Sequence, residues 1–180
     1  LNSNSIISLV EGKNGELYIG NYEKGINVLR NGRIENYCNE IDGKSFALSY
    51  LLLVQNGKDE QKLYAYRSWS NVNVINEKKH AGFSNYIINP YPAQIIKLEK
   101  LLNGETIALA TTGLFNFKND AFTKIHINGF KDTNVYCLTE GDDGSYFIGT
   151  KGMIYRIKNN NVVQQYKINL YLDNNEVAAI

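Results

Sequence analysis

The residue types that most often catalyse reactions are few in this chain and lie far apart. It holds two histidines, His80 and His126, and two cysteines, Cys38 and Cys137. Neither pair has the spacing of a zinc site or of a nucleophile with its base. No glycine-rich phosphate loop and no nucleophile-elbow motif occurs. The sequence therefore predicts a protein without catalytic residues, without a cofactor and without a metal ion.

One acidic segment, Asp142-Asp143-Gly144, could suggest a calcium loop. It lacks the acidic ligands that such a loop carries at its later positions. Aspartate followed by glycine is also typical of a β-turn, because glycine adopts a positive φ at little cost. We interpret this segment as a turn that needs no ion.

Side chains suited to ligand binding gather between residues 67 and 71. Arg67, Trp69 and Asn71 lie where a repeated sequence pattern would place glycine and threonine. A flat indole can stack on the apolar face of a sugar ring. A guanidinium and an amide can bond hydroxyl groups, a uronic acid or a sulfate. The alternative is that Trp69, the one tryptophan of the chain, packs inside a divergent repeat.

Two tyrosines complete the candidate ligand-binding set. Tyr91 lies in the aromatic segment 85–92, whose alternative interpretation is an extended connector fixed by Pro90 and Pro92. Tyr22 lies in an earlier loop that corresponds to residues 67–71. Function concentrates in loops that a rigid scaffold positions, so these loops are the expected binding surface.

The elements that would position these loops are short strands in a repeat. Residues 10–21 return as residues 139–150, with an apolar strand, a Glu-Gly-x-x-Gly turn and an aromatic-Ile-Gly strand. Asn-Gly at residues 31–32 is a strong hairpin signal. Repetition at roughly 43 residues with four strands per repeat is typical of a β-propeller. Tyr18, Tyr64 and Phe147 are expected to pack between neighbouring blades.

The sequence thus predicts an all-β propeller fragment. The expected blades are 5–43, 44–91, 92–131 and 132–172, each of four antiparallel strands, and residues 173–180 would begin a fifth blade. The expected strands are 6–10, 16–21, 25–30 and 33–37; 48–55, 62–67, 72–76 and 79–83; 95–99, 105–110, 113–118 and 121–125; 135–139, 145–150, 153–158 and 162–166. The chain begins without methionine, and its last residues look like the start of another repeat. We therefore expect it to be a piece of a longer protein.

Composition excludes two classes of partner. Nineteen basic and eighteen acidic residues give a net charge of +1, and the basic residues are scattered. This predicts no binding to nucleic acid and no contact with an anionic membrane. No apolar run reaches the roughly 18 to 20 residues that a membrane span needs.

The repeat resembles that of the two-component regulator propeller family. The best match is 135–150 followed by Gly152-Met153-Ile154-Tyr155-Arg156, and residues 5–29 match nearly as well. Residues 111–117 keep only the end of the pattern. The second unit departs from the pattern. Tyr18 and Phe147 stand where the family usually has tryptophan. The resemblance implies an extracytoplasmic, periplasmic sensor domain of a histidine kinase or related membrane regulator, and a complete propeller of seven blades.

From this resemblance we expect a non-enzymatic domain that detects an oligosaccharide or another small periplasmic ligand and signals to transcription. A homodimer of the full-length protein is also expected. Two alternatives remain open, which are a propeller that serves only protein interaction or dimerisation, and a propeller lyase or glycosidase. The lyase or glycosidase would need convergent carboxylates, histidine or a metal, and the sequence offers no such set.

Overall fold

In the computed structural model, every regular element of the described residues is a β-strand. The structure describes residues 5–22, 25–38, 40–41, 44–45, 50–56, 60–66, 72–75, 87–88, 93–131 and 133–168. The chain divides into two compact units, Leu1–Ile88 and Asn89–Ile180. The prediction of an all-β fold is confirmed.

The first unit contains two four-stranded antiparallel sheets and a small hairpin. Sheet 1 has the order β1-β2-β3-β4, and sheet 2 has the order β10-β9-β8-β7. The strands are β1 (Ile6–Glu11), β2 (Leu17–Asn21), β3 (Gly25–Arg30), β4 (Arg33–Cys38), the hairpin β5 (Glu40–Ile41) and β6 (Lys44–Ser45), then β7 (Tyr50–Asn56), β8 (Glu60–Tyr66), β9 (Val72–Ile75) and β10 (Ile87–Ile88).

The second unit contains two further sheets of the same topology. Sheet 3 has the order β11-β12-β13-β14, and sheet 4 has the order β15-β16-β17-β18. The strands are β11 (Ile95–Lys100), β12 (Thr106–Ala110), β13 (Gly113–Lys118), β14 (Ala121–Lys124), β15 (Cys137–Glu140), β16 (Tyr146–Thr150), β17 (Met153–Lys158) and β18 (Asn161–Lys167).

The first turn of sheets 1, 3 and 4 has one shared geometry. The amide of its first residue donates to the carbonyl oxygen four residues later, at 2.7 to 2.8 Å, in the pairs Gly12/Glu16, Leu101/Glu105 and Gly141/Ser145. The fourth turn residue is always glycine, with φ between 74° and 86° at Gly15, Gly104 and Gly144. Any L side chain is strained in this backbone region. The glycines that the sequence repeats are therefore required by the turn.

The last hairpin of the same sheets is a two-residue turn with positive φ at both positions. These turns are Asn31-Gly32, Asn119-Asp120 and Asn159-Asn160. This geometry matches the right-handed twist of the flanking strands and favours asparagine, aspartate and glycine. The turns expected from the sequence are confirmed at all three places, although Asn161 already belongs to β18.

Within the first unit, the two sheets bury their facing apolar side chains against each other. One buried cluster joins Tyr18, Ile26, Val28 and Cys38 of sheet 1 to Leu51, Leu63 and Ala65 of sheet 2. The amide of Leu51 also donates to the Ser8 hydroxyl at 3.0 Å. The expected role of Tyr18 between neighbouring sheets is confirmed. Tyr64 is buried as well, whereas Phe147 is half-buried beneath the Arg156 guanidinium, 5.7 Å from its ring centre.

The two sheets of the second unit pack in the same way. Ile107, Leu109 and Leu114 of sheet 3 form a buried cluster with Ile148 and Ile157 of sheet 4. Ile127 and Val135, from the segment that connects the sheets, complete this cluster. Each sheet thus has one apolar face covered by its neighbour within the unit.

The connecting segment is fixed to sheet 4. The amide of Asn128 donates to the carbonyl oxygen of Asn160 at 2.9 Å, and its carbonyl oxygen accepts from the amide of Val162 at 2.9 Å. The Phe130 ring meets the Tyr155 ring edge-on at 5.1 Å. These contacts hold the outer hairpin of sheet 4 against the chain that leaves sheet 3.

The strand predictions were accurate to one or two residues in sheets 1, 3 and 4. Sheet 2 differs because its last strand is Ile87–Ile88, which pairs with Asn73 and Val72. The sequence analysis had assigned this segment to a connecting loop. Two consecutive β-branched residues favour a strand, and the prolines that follow can end it. The strand expected at 79–83 lies outside the described residues.

We predict that Gly144→Ala lowers the free energy of unfolding by about 1 kcal/mol because of its positive φ. An added Cβ would meet no atom within 4 Å, so a steric clash contributes nothing. Denaturant unfolding measures the effect. Gly144→Asn is the matched control and should lower the free energy of unfolding less, since asparagine tolerates this conformation. An alanine variant as stable as the parent chain would contradict this account of the turn.

Candidate functional site

Of the five predicted ligand-binding residues, only Tyr22 lies within the described residues. Arg67, Trp69, Asn71 and Tyr91 lie outside them. Tyr22 directly follows β2, and 44% of its surface is exposed. Its backbone amide donates to the carbonyl oxygen of Ser5 at 3.1 Å. An exposed aromatic ring on a fixed backbone can offer a stacking surface at low entropic cost.

The base of the Tyr22 loop is held by two buried asparagines. The Asn21 side-chain amide donates to Asn27 Oδ1 at 2.9 Å and reaches the carbonyl oxygens of Ile19 and Gly25 at 3.2 and 3.3 Å. Asn27 in turn donates to the carbonyl oxygen of Glu35 at 3.2 Å. Side chains therefore link β2, β3 and β4 beneath the loop. Sequence reasoning missed this network because asparagine usually indicates an exposed turn.

The Asn21 carbonyl oxygen Oδ1 is buried and accepts no hydrogen bond from the described residues. A buried acceptor without a donor costs about 1 to 3 kcal/mol. A bound water molecule would relieve this cost, because such waters commonly join buried polar groups. Asn21 lies directly before the Tyr22 loop, so such a water would lie close to the base of this loop.

The equivalent loops of the second unit are held by threonines. Thr111 and Gln94 exchange two hydrogen bonds, each of 3.0 Å. The Thr150 hydroxyl donates to the carbonyl oxygen of Met153 at 3.2 Å. These loops present no aromatic side chain at the position that Tyr22 occupies.

The Asp142-Asp143-Gly144 segment forms a turn whose acidic oxygens bind protein donors. Asp143 Oδ1 accepts from the amide and hydroxyl of Ser145 at 3.1 and 2.5 Å. Asp143 Oδ2 accepts from Arg156 at 2.9 Å and from Lys158 at 2.8 Å. Hydrogen bonds from Lys158 and Ser145 hold the pKa of the Asp143 carboxyl well below its usual value. The described residues contain no group of three or more potential metal ligands.

A buried carboxylate, that of Glu16, lies at the equivalent turn of sheet 1, and sequence reasoning missed it. Glu16 is 7% exposed, and its Oε2 accepts from the amide of Asn14 at 3.0 Å. The Tyr18 hydroxyl lies 3.5 Å from Glu16 Oε1 and accepts from Arg30 at 3.3 Å. The Glu-x-Tyr spacing placed both side chains near the turn but did not show their burial. Their role is to fix the turn.

The remaining reactive residue types are kept apart or buried. Cys38 and Cys137 are buried, and burial raises the pKa of the Cys137 thiol. Raised pKa values reduce the thiolate fraction on which cysteine reactivity depends. His126 is exposed, and His80 lies outside the described residues.

We predict that Asp143→Asn weakens the pH dependence of stability. The folded pKa of Asp143 is depressed, so its carboxylate stabilises the fold above the usual carboxyl pKa of 3.8. That stabilisation is lost as the pH falls from about 5 toward the lower folded value. Asparagine should preserve the turn, because Asn103 occupies the equivalent position in sheet 3. There its Oδ1 accepts from the amide of Glu105 at 2.9 Å.

Thermal unfolding between pH 7 and pH 2 measures this effect. The Asp143→Asn variant should be less stable than the parent near neutral pH, and the difference should shrink in acid. Asp142→Asn, at an exposed position outside these contacts, is the matched control. A parent-to-variant difference that stays constant with pH would contradict the assignment.

Comparisons with known proteins agree with the fold. Residues 1–23 match the family model described as two component regulator propeller. No curated protein matches the chain in sequence. No helix among the described residues is long and apolar enough to span a membrane.

The chain is similar in structure to extracellular domains of B. thetaiotaomicron proteins described as hybrid two component systems. With the domain of BT3049 the TM-score is 0.67 at 16% identity, covering 99% of this chain and 24% of that one. With the domain of BT4673 the TM-score is 0.65 at 13% identity, covering 99% of this chain and 25% of that one. With catalytically inactive virginiamycin B lyase from Staphylococcus aureus with quinupristin, the TM-score is 0.63 at 15% identity. The match covers 95% of this chain and 59% of that one.

The chain thus spans about a quarter of the length of the two extracellular domains. Likeness at this identity shows the fold, which is that of a β-propeller. The family resemblance found in the sequence is confirmed where the family model matches, at residues 1–23. The chain carries a two component regulator propeller repeat at its beginning, and its fold is shared with extracellular domains of hybrid two component systems.

Proposed function

We propose that this chain is part of a non-enzymatic, extracytoplasmic sensor propeller of a two-component regulator. The observation that carries the proposal is the regulator propeller repeat at residues 1–23, within a fold similar to two such extracellular domains. The blades are those expected from the sequence, with boundaries near residues 43, 91 and 131, in a propeller of seven. The location is the periplasm, and the full-length protein is a homodimer.

The ligand is an oligosaccharide or another small periplasmic molecule, bound by loops between the second and third strands and by loops that connect blades. Tyr22 supports this assignment, because its exposed ring stands on a backbone fixed by Ser5 and by the Asn21 network. Trp69 and Tyr91 add stacking surfaces, and Arg67 and Asn71 add donors for hydroxyl or acidic groups.

Signalling follows from a shift between two arrangements of the sensor domains. A ligand changes their populations only if it binds one arrangement more tightly than the other. Rigid sheets favour such a mechanism, since binding at the loops then moves whole units instead of deforming the sheets. The result is a change in the activity of the signalling domains and in transcription.

Two other functions give different results in the same experiment. A propeller that serves as a dimerisation scaffold would bind no glycan. A propeller lyase, suggested by the likeness to virginiamycin B lyase, would convert its ligand into a product. Sensing is favoured by the regulator propeller match at residues 1–23 and by the likeness to extracellular domains of hybrid two component systems.

We predict that one member of a panel of plant and host oligosaccharides raises the melting temperature of the chain. Trp69→Ala and Tyr22→Ala should each weaken binding by about 1 to 3 kcal/mol in titration calorimetry, because each removes a stacking surface. Tyr166→Ala is the matched control, because Tyr166 is 41% exposed and lies on an outer strand. It should leave binding unchanged.

The other outcomes are equally clear. A chain that responds to no glycan but forms a stable dimer in solution would favour the scaffold function. Cleavage of a glycan by the purified chain would overturn the non-enzymatic assignment. Binding that survives both substitutions would show that the ligand lies elsewhere.

A further inference from the structure

A cleft of about 210 Å³ opens between sheets 3 and 4 of the second unit. It lies near the first turn of sheet 3 and the last hairpin of sheet 4, so it is separate from the loops that follow β2, β12 and β16. Its lining residues are apolar at the base and polar at the edge, namely Leu101, Ile107, Leu114, Ile125, Leu138 and Tyr146, with Glu105, Asn116 and Asn160.

The base of the cleft is part of the packed interface between the sheets. Ile107 and Leu114 are buried, whereas Leu101, Ile125 and Leu138 pack on them only partly buried. These three side chains therefore still have apolar surface for a ligand. A comparable apolar cavity of about 150 Å³ holds one benzene ring, so this cleft has room for one ring with a short substituent.

One carboxylate, that of Glu105, lines the cleft and gives its edge a negative charge. Glu105 Oε2 accepts from the Asn103 amide at 3.0 Å, and its Oε1 accepts nothing from the described residues. Glu140 Oε2 accepts from the backbone amide of Leu102 at 2.6 Å, which ties the turn of sheet 3 to sheet 4. Among the described residues, no lysine, arginine or histidine lines the cleft. The charge at this opening therefore favours a cation.

Neutral polar groups complete the lining. Tyr146 is half-buried, and burial raises the pKa of its hydroxyl, so this group remains a neutral donor at physiological pH. The side-chain amides of Asn116 and Asn160 offer further donors and acceptors. An apolar base with a few polar groups is the usual composition of a small-molecule site.

We propose that this cleft binds a small organic cation, made of one aromatic or branched aliphatic group and a short chain ending in an ammonium. The apolar group lies against Leu114, Ile125 and Leu138, and the ammonium pairs with Glu105. The site does not depend on the proposed oligosaccharide function, because it uses other residues. It binds across the sheet interface and so stabilises the second unit.

Phenethylamine, 2-phenylethanol and phenylacetate test the charge preference, since they share a ring and differ in the end group. Nitrogen-15 NMR titration should show shifts at the amides of Ile107, Leu138 and Tyr146. The expected order of affinity is amine, alcohol, acid, with a millimolar dissociation constant for the amine. No amine binding, or equal binding of all three, would overturn the proposal.

Two variants test the location. Glu105→Gln should weaken the binding of phenethylamine about three-fold, because an exposed ion pair contributes about that much to affinity. The binding of 2-phenylethanol should stay unchanged. Glu11→Gln, which removes an exposed carboxylate from the first unit, is the matched control. Leu138→Phe should fill the cleft and weaken the binding of both the amine and the alcohol more than ten-fold. A folded Leu138→Phe variant that binds the amine as the parent does would also overturn the proposal.

Discussion

A four-stranded sheet with apolar side chains on its faces is not stable by itself in water, because these faces must be buried. This constraint determines the rest of the structure. Within each unit, one sheet covers a face of the other. Tyr18 packs with Leu63 in the first unit, and Ile107 packs with Ile148 in the second. Burial of this kind stabilises by roughly 25 cal/mol per Å² of apolar surface. The repeated glycine turns matter because they keep each strand in the register that aims these side chains at the neighbouring sheet.

This packing separates the constant and the variable parts of the chain. The strands and turns repeat because each must fit the next sheet, while the loops after the second strands are free to differ. Tyr22 occupies the loop of sheet 1, whereas Thr111 and Thr150 hold the loops of sheets 3 and 4 through bonds to the backbone. The same packing leaves a small cleft between sheets 3 and 4, and the Glu140 carboxylate joins these two sheets through the Leu102 amide. The loops proposed for sensing and the cleft proposed for cation binding thus lie on one kind of scaffold.

Local signals in the sequence were enough for the strands and turns. Asn-Gly and Gly at fixed offsets determine φ directly, so sheets 1, 3 and 4 were predicted within one or two residues. Ile87–Ile88 was missed because two residues are too short for a periodic pattern. The burial of Asn21, Asn27 and Glu16 could not be predicted, since it depends on which sheet covers them. The cleft could not be predicted either, because the Leu102–Glu140 bond joins residues 38 positions apart.

Facing sheets within a unit stabilise each other, and native-state hydrogen exchange measures this coupling. Ile148→Val removes one methyl group from sheet 4 at the interface, at a cost of about 0.5 to 1.5 kcal/mol. If the sheets open together, the amides of β12 in sheet 3 should lose as much protection as those of β16. A loss confined to β15, β16, β17 and β18, with β12 unchanged, would contradict the account.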